Sequence, residues 1–258
     1  MKIRDVWNAN LKEEVNFIKN IVDAYPYVAM DTEFPGTPFD VQEDNADFRY
    51  LKVKQNVNNL KLIQLGLTFF NEQGNLPTFE TDSTEDSCIW QFNFREFDIE
   101  RDRKSPESIQ FLQNAGIDFN KFKEEGVDIN KFGQLFMLSG VVLNDSVRWV
   151  TFDSKYDFGY LIKALTGRNL PETRDEFFQL MNAFFPVVYD VRFMINGLQN
   201  LNGGLRTIAQ QLEVPMEGTA HQAGPDSLVT CRTFNKLRQN HFPGPLDQFV
   251  GIVFRLNS

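Results

Sequence analysis

The apolar run Tyr27-Val28-Ala29 has strand character and leads through Met30 directly into Asp31-Thr32-Glu33-Phe34. That junction constrains the chain more than any other stretch. Strand side chains alternate between faces, so Asp31 and Glu33 project to the same side. Two like charges held that close raise each other's pKa, or recruit a cation that makes ionisation favourable. The stretch is therefore either half of a divalent-metal site at a strand end or a strand running out into a solvated acidic turn. With 35 acidic residues in the chain, about five such i,i+2 pairs arise by chance, so this pair needs partners elsewhere.

The remaining composition limits what those partners can do. At 258 residues and 42% apolar, the chain can bury a substantial core. It carries 26 phenylalanines against three tryptophans and six tyrosines, which suggests a densely packed interior more than a polar aromatic binding face. A net charge of −9 disfavours non-specific coating of nucleic acid, which needs Lys and Arg on phosphates. Carboxylates that hold divalent cations reverse that argument locally, because they make a phosphate-binding pocket. Cys88 and Cys231 form neither a disulfide framework nor a zinc spacing, and this suits a reducing compartment. The start, Met1-Lys2-Ile3-Arg4-Asp5, lacks a signal-peptide core, and no run of about eighteen apolar residues exists. A soluble, intracellular protein is expected.

Asn10 and Glu13 make a capping-box pattern before Leu11, Val15, Ile18 and Val22, so the first element expected is an amphipathic helix ending near Pro26. Strand Tyr27–Phe34 follows. The polar stretch from Thr37 to Asn59 reads as a solvated loop, with Arg49, Lys52 and Lys54 as the basic groups nearest Asp31 in sequence. Leu60–Phe70 reads as a second strand. Trp90, Phe92 and Phe94 alternate with Gln91 and Asn93 in a third, after a long acidic loop (Glu80, Asp82, Glu85, Asp86) expected to be mobile. Helices are expected after Ser105-Pro106 and after Asp128, then a strand at Val147–Phe152 and a helix opened by Asp157 and closed by Gly167. Thr173 and Glu176 box the next helix, Val187–Val191 is a short strand, and Gly203-Gly204 precedes another helix. A last long helix spans about Gly224 to Asn240. The expected fold is α/β, a mixed sheet flanked by helices, in one domain over residues 1–242 with a loose tail at 243–258.

Asp157 stands at a strand-to-helix junction, Asp226 in the first turn of the last helix, and His221 on the loop leading into it. Four carboxylates meeting in one pocket require cations, and two Mg²⁺ or Mn²⁺ ions suit an all-oxygen set. A paired-metal site of this kind hydrolyses phosphodiesters, with a histidine beside it to take a proton from water. Each residue also has a plainer role: Asp157 as an N-cap, Asp226 as a favourable charge at a helix start, His221 as a surface residue. Residue chemistry alone stops at a metal-dependent phosphoester hydrolase.

Asp31-Thr32-Glu33-Phe34-Pro35-Gly36, Tyr156-Asp157-Phe158-Gly159-Tyr160-Leu161 and His221-Gln222-Ala223-Gly224-Pro225-Asp226-Ser227-Leu228 resemble the three exonuclease motifs of the Caf/Pop deadenylases. Those are DEDD-superfamily enzymes with a ribonuclease-H-like fold, and the wording is most similar to plant members. Leu62–Leu67, Trp90–Phe94, Ser139–Leu143 and Gly203–Leu205 also match in order. The resemblance implies that Asp31, Glu33, Asp157 and Asp226 bind two divalent metals and that His221 is the general base. It implies 3′-to-5′ removal of poly(A) from messenger RNA with release of 5′-AMP. The implied partners are single-stranded poly(A), the Not scaffold and the second deadenylase subunit of the Ccr–Not complex, in nucleus and cytoplasm. An exonuclease without adenosine preference, or a weakly catalytic scaffold subunit, are the alternatives. Two departures stand out: Phe152-Asp153-Ser154-Lys155-Tyr156-Asp157 where the family has Phe-His-Ser-Gly-Tyr-Asp, and a longer acidic loop at Thr81–Asp86.

Overall fold

The apolar runs assemble into one mixed sheet. The computed structural model describes residues 1–41, 45–81 and 84–258. Its strands are β1 (Lys2–Val6), β2 (Tyr27–Glu33), β3 (Gln64–Phe70), β4 (Thr78–Thr81), β5 (Thr84–Asn93), β6 (Arg148–Thr151) and β7 (Val187–Asp190). They lie in the order β1-β5-β3-β2-β6-β7, with β4 paired onto β5. β2 is antiparallel to β3 and parallel to β6, so it is an interior strand with both faces covered.

Alternation along β2 sorts the two faces. Val28 and Met30 join Leu65, Leu67, Phe69 and Trp90 beneath α1 (Leu11–Ile21), α2 (Ala46–Asn59), α5 (Ile129–Phe136), α6 (Asp157–Thr166) and α7 (Arg174–Phe184). Tyr27 and Ala29 face the other layer, α8 (Val191–Met194), α9 (Leu205–Gln211) and α10 (Ala223–Asn240). α3 (Pro106–Asn114) and α4 (Phe119–Glu125) close a smaller cluster around Ile63 and Phe97. Phenylalanine fills the first layer: Phe92 and Phe94 meet Phe132 edge-on, with centroids 5.2 Å away in each case. Each fully buried side chain of this size contributes about 1.5–3 kcal/mol.

Several local signals act as expected. Ser105 and Asp128 accept first-turn N–H bonds, Thr173 and Glu176 form a reciprocal capping box, and Gly167 ends α6 at φ +64°. Others do not. Asn10 does not cap α1; its Oδ1 accepts from the Trp7 N–H at 2.8 Å and its amide donates to the Asp5 carbonyl. A strand, β1, precedes that helix, and its Arg4 forks onto buried Glu14 at 2.7 and 2.9 Å, which also accepts from the Trp90 indole. The stretch expected as a solvated loop contains α2, capped by Asn45 and buried through Tyr50, Val53 and Val57. Its apolar stripe is narrow, so its periodicity is faint against the polar background. Residues 42–44 of that stretch lie outside the described residues. The long acidic loop is instead mostly the β4–β5 hairpin, with residues 82 and 83 outside the described residues. The tail expected to be loose is docked: Val253 and Leu256 are buried, and the Phe254 N–H donates to Asp190. Among the described residues no helix is long and apolar enough to cross a membrane.

Candidate active site

The acids converge because β2 ends between two helical layers. Asp31 lies opposite Gly66 and Glu33 opposite Gln64 on β3, on the face covered by α10. That helix approaches the sheet at Gly66 so closely that a Cβ there would stand 1.8 Å from the Ala223 carbonyl oxygen. A helix start needs partners for its unpaired N–H groups. Here they come from the sheet: Gln64 accepts from the Ala223 N–H at 3.2 Å and Gln91 from the Gly224 N–H at 3.0 Å. This clamp sets Asp226, in the first turn, beside Glu33. His221 stands just before the helix in a left-handed backbone conformation, φ +61°. Its N–H donates to Asp226 Oδ2 at 3.1 Å, and its exposed ring lies 5.6 Å from that of Phe111 on α3. One donor atom each from Glu33, His221 and Asp226 falls within 4.8 Å of the others.

Asp157 arrives from the opposite layer. It is the first residue of α6 and not its N-cap, which is Tyr156. Its Oδ1 accepts from both the N–H and the hydroxyl of Thr32, at 3.1 and 2.7 Å. Asp157 is thereby tied to the residue between Asp31 and Glu33. Asp31 and Asp157 stand outside the tight Glu33–His221–Asp226 group, yet their charges are felt across it.

Burial first, then Glu33, Asp157 and Asp226, push the Asp31 carboxyl well above its ordinary range, against the pull of Arg206. Burial and the charges of Asp226 and Asp157 raise Glu33 to about 8. Burial raises Asp157 to about 6, opposed by the Thr32 hydroxyl bond. Such a pocket disfavours its own ionisation, and an oxygen-rich set of this kind suits hard divalent cations such as Mg²⁺ or Mn²⁺. The residues present therefore fit the metals that the sequence suggests.

The two altered residues before Asp157 neutralise each other. Lys155 Nζ donates to Asp153 Oδ1 at 2.5 Å, and Asp153 adopts φ +56° with its N–H on Asp190 Oδ1 at 2.9 Å. Asp190 is fully buried and also receives the N–H groups of Ser154, Arg192 and Phe254. It therefore pins the loop that delivers Asp157. Sequence reasoning missed Asp190, Thr32, Gln64, Gly66, Gln91 and Arg206. The glutamines did leave a signal, since Gln64 opens the apolar run Leu65–Phe70 and Gln91 stands between Trp90 and Phe92.

The chain matches the model of the CAF1 family ribonucleases over residues 6–131 and 142–234. It belongs to that family. It is 50% identical over 259 residues to "Probable CCR4-associated factor 1 homolog 7" of Arabidopsis thaliana, covering 99% of this chain and 94% of that protein. Identity to "Poly(A) ribonuclease pop2" of Schizosaccharomyces pombe is 42% over 248 residues, covering 95% and 72%. The solved structure of S. pombe Pop2p in its Mg²⁺- and Mn²⁺-bound form superposes with a TM-score of 0.91 at 40% identity, covering 99% of this chain and all of that one. Yeast CAF1 co-crystallised with the NOT1 MIF4G domain matches at 0.78 and 31%, covering 98% and 96%. The mixed sheet between helical layers is thus the ribonuclease-H-like arrangement of this family.

Proposed function

We propose that this CAF1-family ribonuclease shortens messenger-RNA poly(A) tails from the 3′ end and releases 5′-AMP. The observation that carries the reading is the convergence of Asp31, Glu33, Asp157, Asp226 and His221 at the end of β2. The name and metal content of the S. pombe relative support the substrate and the cation class. Asp31, Glu33, Asp157 and Asp226 would hold two Mg²⁺ or Mn²⁺ ions. Such a pair, when bound, activates a water and stabilises the leaving oxygen in phosphodiester hydrolysis.

The protein's own groups do the rest. Thr32 fixes the Asp157 carboxylate, and the His221 N–H fixes Asp226, so two acids from different layers keep a set geometry. The His221 imidazole, exposed at the mouth of the acidic pocket, takes the proton of the attacking water. By analogy with the NOT1-bound relative, the chain docks on a Not scaffold; a second deadenylase subunit beside it and a place in nucleus and cytoplasm are part of the same proposal, carried by the family resemblance alone.

The test is hydrolysis of oligo(A) against oligo(U), oligo(C) and single-stranded DNA, with Mg²⁺, Mn²⁺ and EDTA arms. The expected result is metal-dependent hydrolysis that favours oligo(A). Equal rates on all four substrates would remove the adenosine preference and leave the nuclease. Full activity in EDTA would refute the metal assignment.

A further inference from the structure

Both oxygens of the Asp226 carboxylate already accept hydrogen bonds. Oδ2 accepts the His221 N–H, and Oδ1 accepts two bonds from the Arg206 guanidinium, Nε at 3.0 Å and Nη2 at 2.5 Å. Arg206 lies in the first turn of α9, behind the Gly203-Gly204 break, and its side chain is 29% exposed. A guanidinium fork on a carboxylate is among the stronger charge-assisted contacts available to a protein. It supplies positive charge where four acids otherwise repel one another. A cation binding through Asp226 Oδ1 must displace that fork or share the oxygen with it.

We propose that Arg206 is a built-in competitor of the metal at Asp226: it stabilises the metal-free site and weakens the metal bound through that residue. This rests on the two-metal reading and adds to it a residue that sets affinity. The Arg206 fork holds Asp226 in place while the pocket is empty and leaves Oδ1 when the cation enters. Removing the fork takes away a charged hydrogen-bond partner of the carboxylate, a contact that corresponds to roughly tenfold or more in an equilibrium constant.

The experiment is Mn²⁺ titration calorimetry on EDTA-stripped protein, with melting curves of both forms, for wild type, Arg206→Gln, Arg206→Lys and Asp226→Asn. Arg206→Gln is expected to bind its weaker Mn²⁺ about tenfold more tightly. It should melt lower than wild type without metal, and the difference should close at saturating Mn²⁺, because the contact it lacks is the one the cation displaces in wild type. Arg206→Lys keeps the charge but loses the planar fork, and should fall between the two. In an Asp226→Asn background, Arg206→Gln should have little further effect, because the contested carboxylate charge is gone. Unchanged or weaker Mn²⁺ binding in Arg206→Gln overturns the proposal while leaving the metal site standing. A gain that persists at full size in the Asp226→Asn background also overturns it, because Arg206 would then act through its general field. Wild-type protein that binds no Mn²⁺ refutes the metal reading itself.

Discussion

Gly66→Ala isolates the contact that joins sheet to active site. Gly66 sits on β3 between Asp31 on β2 and Gln91 on β5. The space above it belongs to α10: an added Cβ would stand 1.8 Å from the Ala223 carbonyl oxygen, 2.1 Å from its carbon and 2.5 Å from the Gly224 nitrogen. All three are backbone atoms, so no side-chain rotation relieves the clash. Ordinary contact begins near 3.4 Å, so the helix start has to retreat by roughly 1.6 Å. The bonds from Ala223 and Gly224 to Gln64 and Gln91, now 3.2 and 3.0 Å, do not survive such a shift. Two lost hydrogen bonds and the overpacking amount to about 3–5 kcal/mol. In a chain of this size that lowers the melting temperature by roughly 10 °C. Asp226 and His221 move with the helix start, and a misplacement of about 1 Å costs on the order of a hundredfold in rate. The measurements are thermal melting and single-turnover hydrolysis of oligo(A) with Mn²⁺. Gly133→Ala serves as the control, because it drives a Cβ to within 2.4 Å of the Ala164 carbonyl in the α5–α6 packing, away from the acids. It should destabilise comparably with a smaller loss of rate. If Gly66→Ala melts within two degrees of wild type and keeps more than half its rate, the close approach of α10 does not position Asp226.

Asp31→Asn is expected to abolish metal-dependent hydrolysis without lowering the melting temperature of the metal-free protein, since a neutral amide replaces a carboxyl that the pocket already holds away from ionisation; retained metal-dependent activity would exclude Asp31 from the site. For His221→Ala a loss of about a hundredfold or more is expected in single-turnover rate, and an unchanged rate would mean that another group takes the proton. The pH dependence of the metal-free protein follows from the raised carboxyls. Glu33 near 8 and Asp157 near 6 hold protons in the folded state that the unfolded chain releases near 4. Their contribution therefore falls as pH rises from about 4.5 to 8, and metal-free melting should be higher at pH 6 than at pH 8.5, with Mn²⁺ removing the difference. A metal-free melting temperature that climbs over that interval would contradict the buried, repelling cluster. Truncation after Phe242 removes the buried Val253 and Leu256 and should cost about 3–5 kcal/mol in urea unfolding; a loss under 1 kcal/mol would mean that the tail is not part of the packed fold.

Much of this protein was determined locally, and so was readable. Caps and stops depend on residues three or four apart, which is why Ser105, Asp128, Thr173 and Gly167 mark their helices in the sequence. The alternation along Tyr27–Glu33 placed Asp31 and Glu33 on one face before any neighbour was known, and the three motifs carried the family. What failed was low in contrast or settled at a distance. α2 shows a narrow apolar stripe in a polar background. β1 is an edge strand, and its Arg4 finds its carboxylate partner on α1, at Glu14. The tail is apolar at too few positions to announce the surface it packs against.

The site divides the same way. Asp31, Glu33, Asp157, His221 and Asp226 are visible as motif residues, whereas the groups that hold them are not. Thr32 meets Asp157 across 125 positions and Gln64 meets Ala223 across 159, so neither bond has a local signature. Gly66 reads as a weak strand residue until a helix lies on it. Asp153 and Lys155 read as a disturbance beside a catalytic acid until they are seen paired with each other. By itself the sequence determined which residues could do the chemistry, because side-chain type and spacing are local properties. Only the tertiary structure decided that β2 ends between two layers, that an arginine from α9 bonds Asp226, and that a glycine makes the approach possible, because each of these is a matter of distance between segments far apart in the chain.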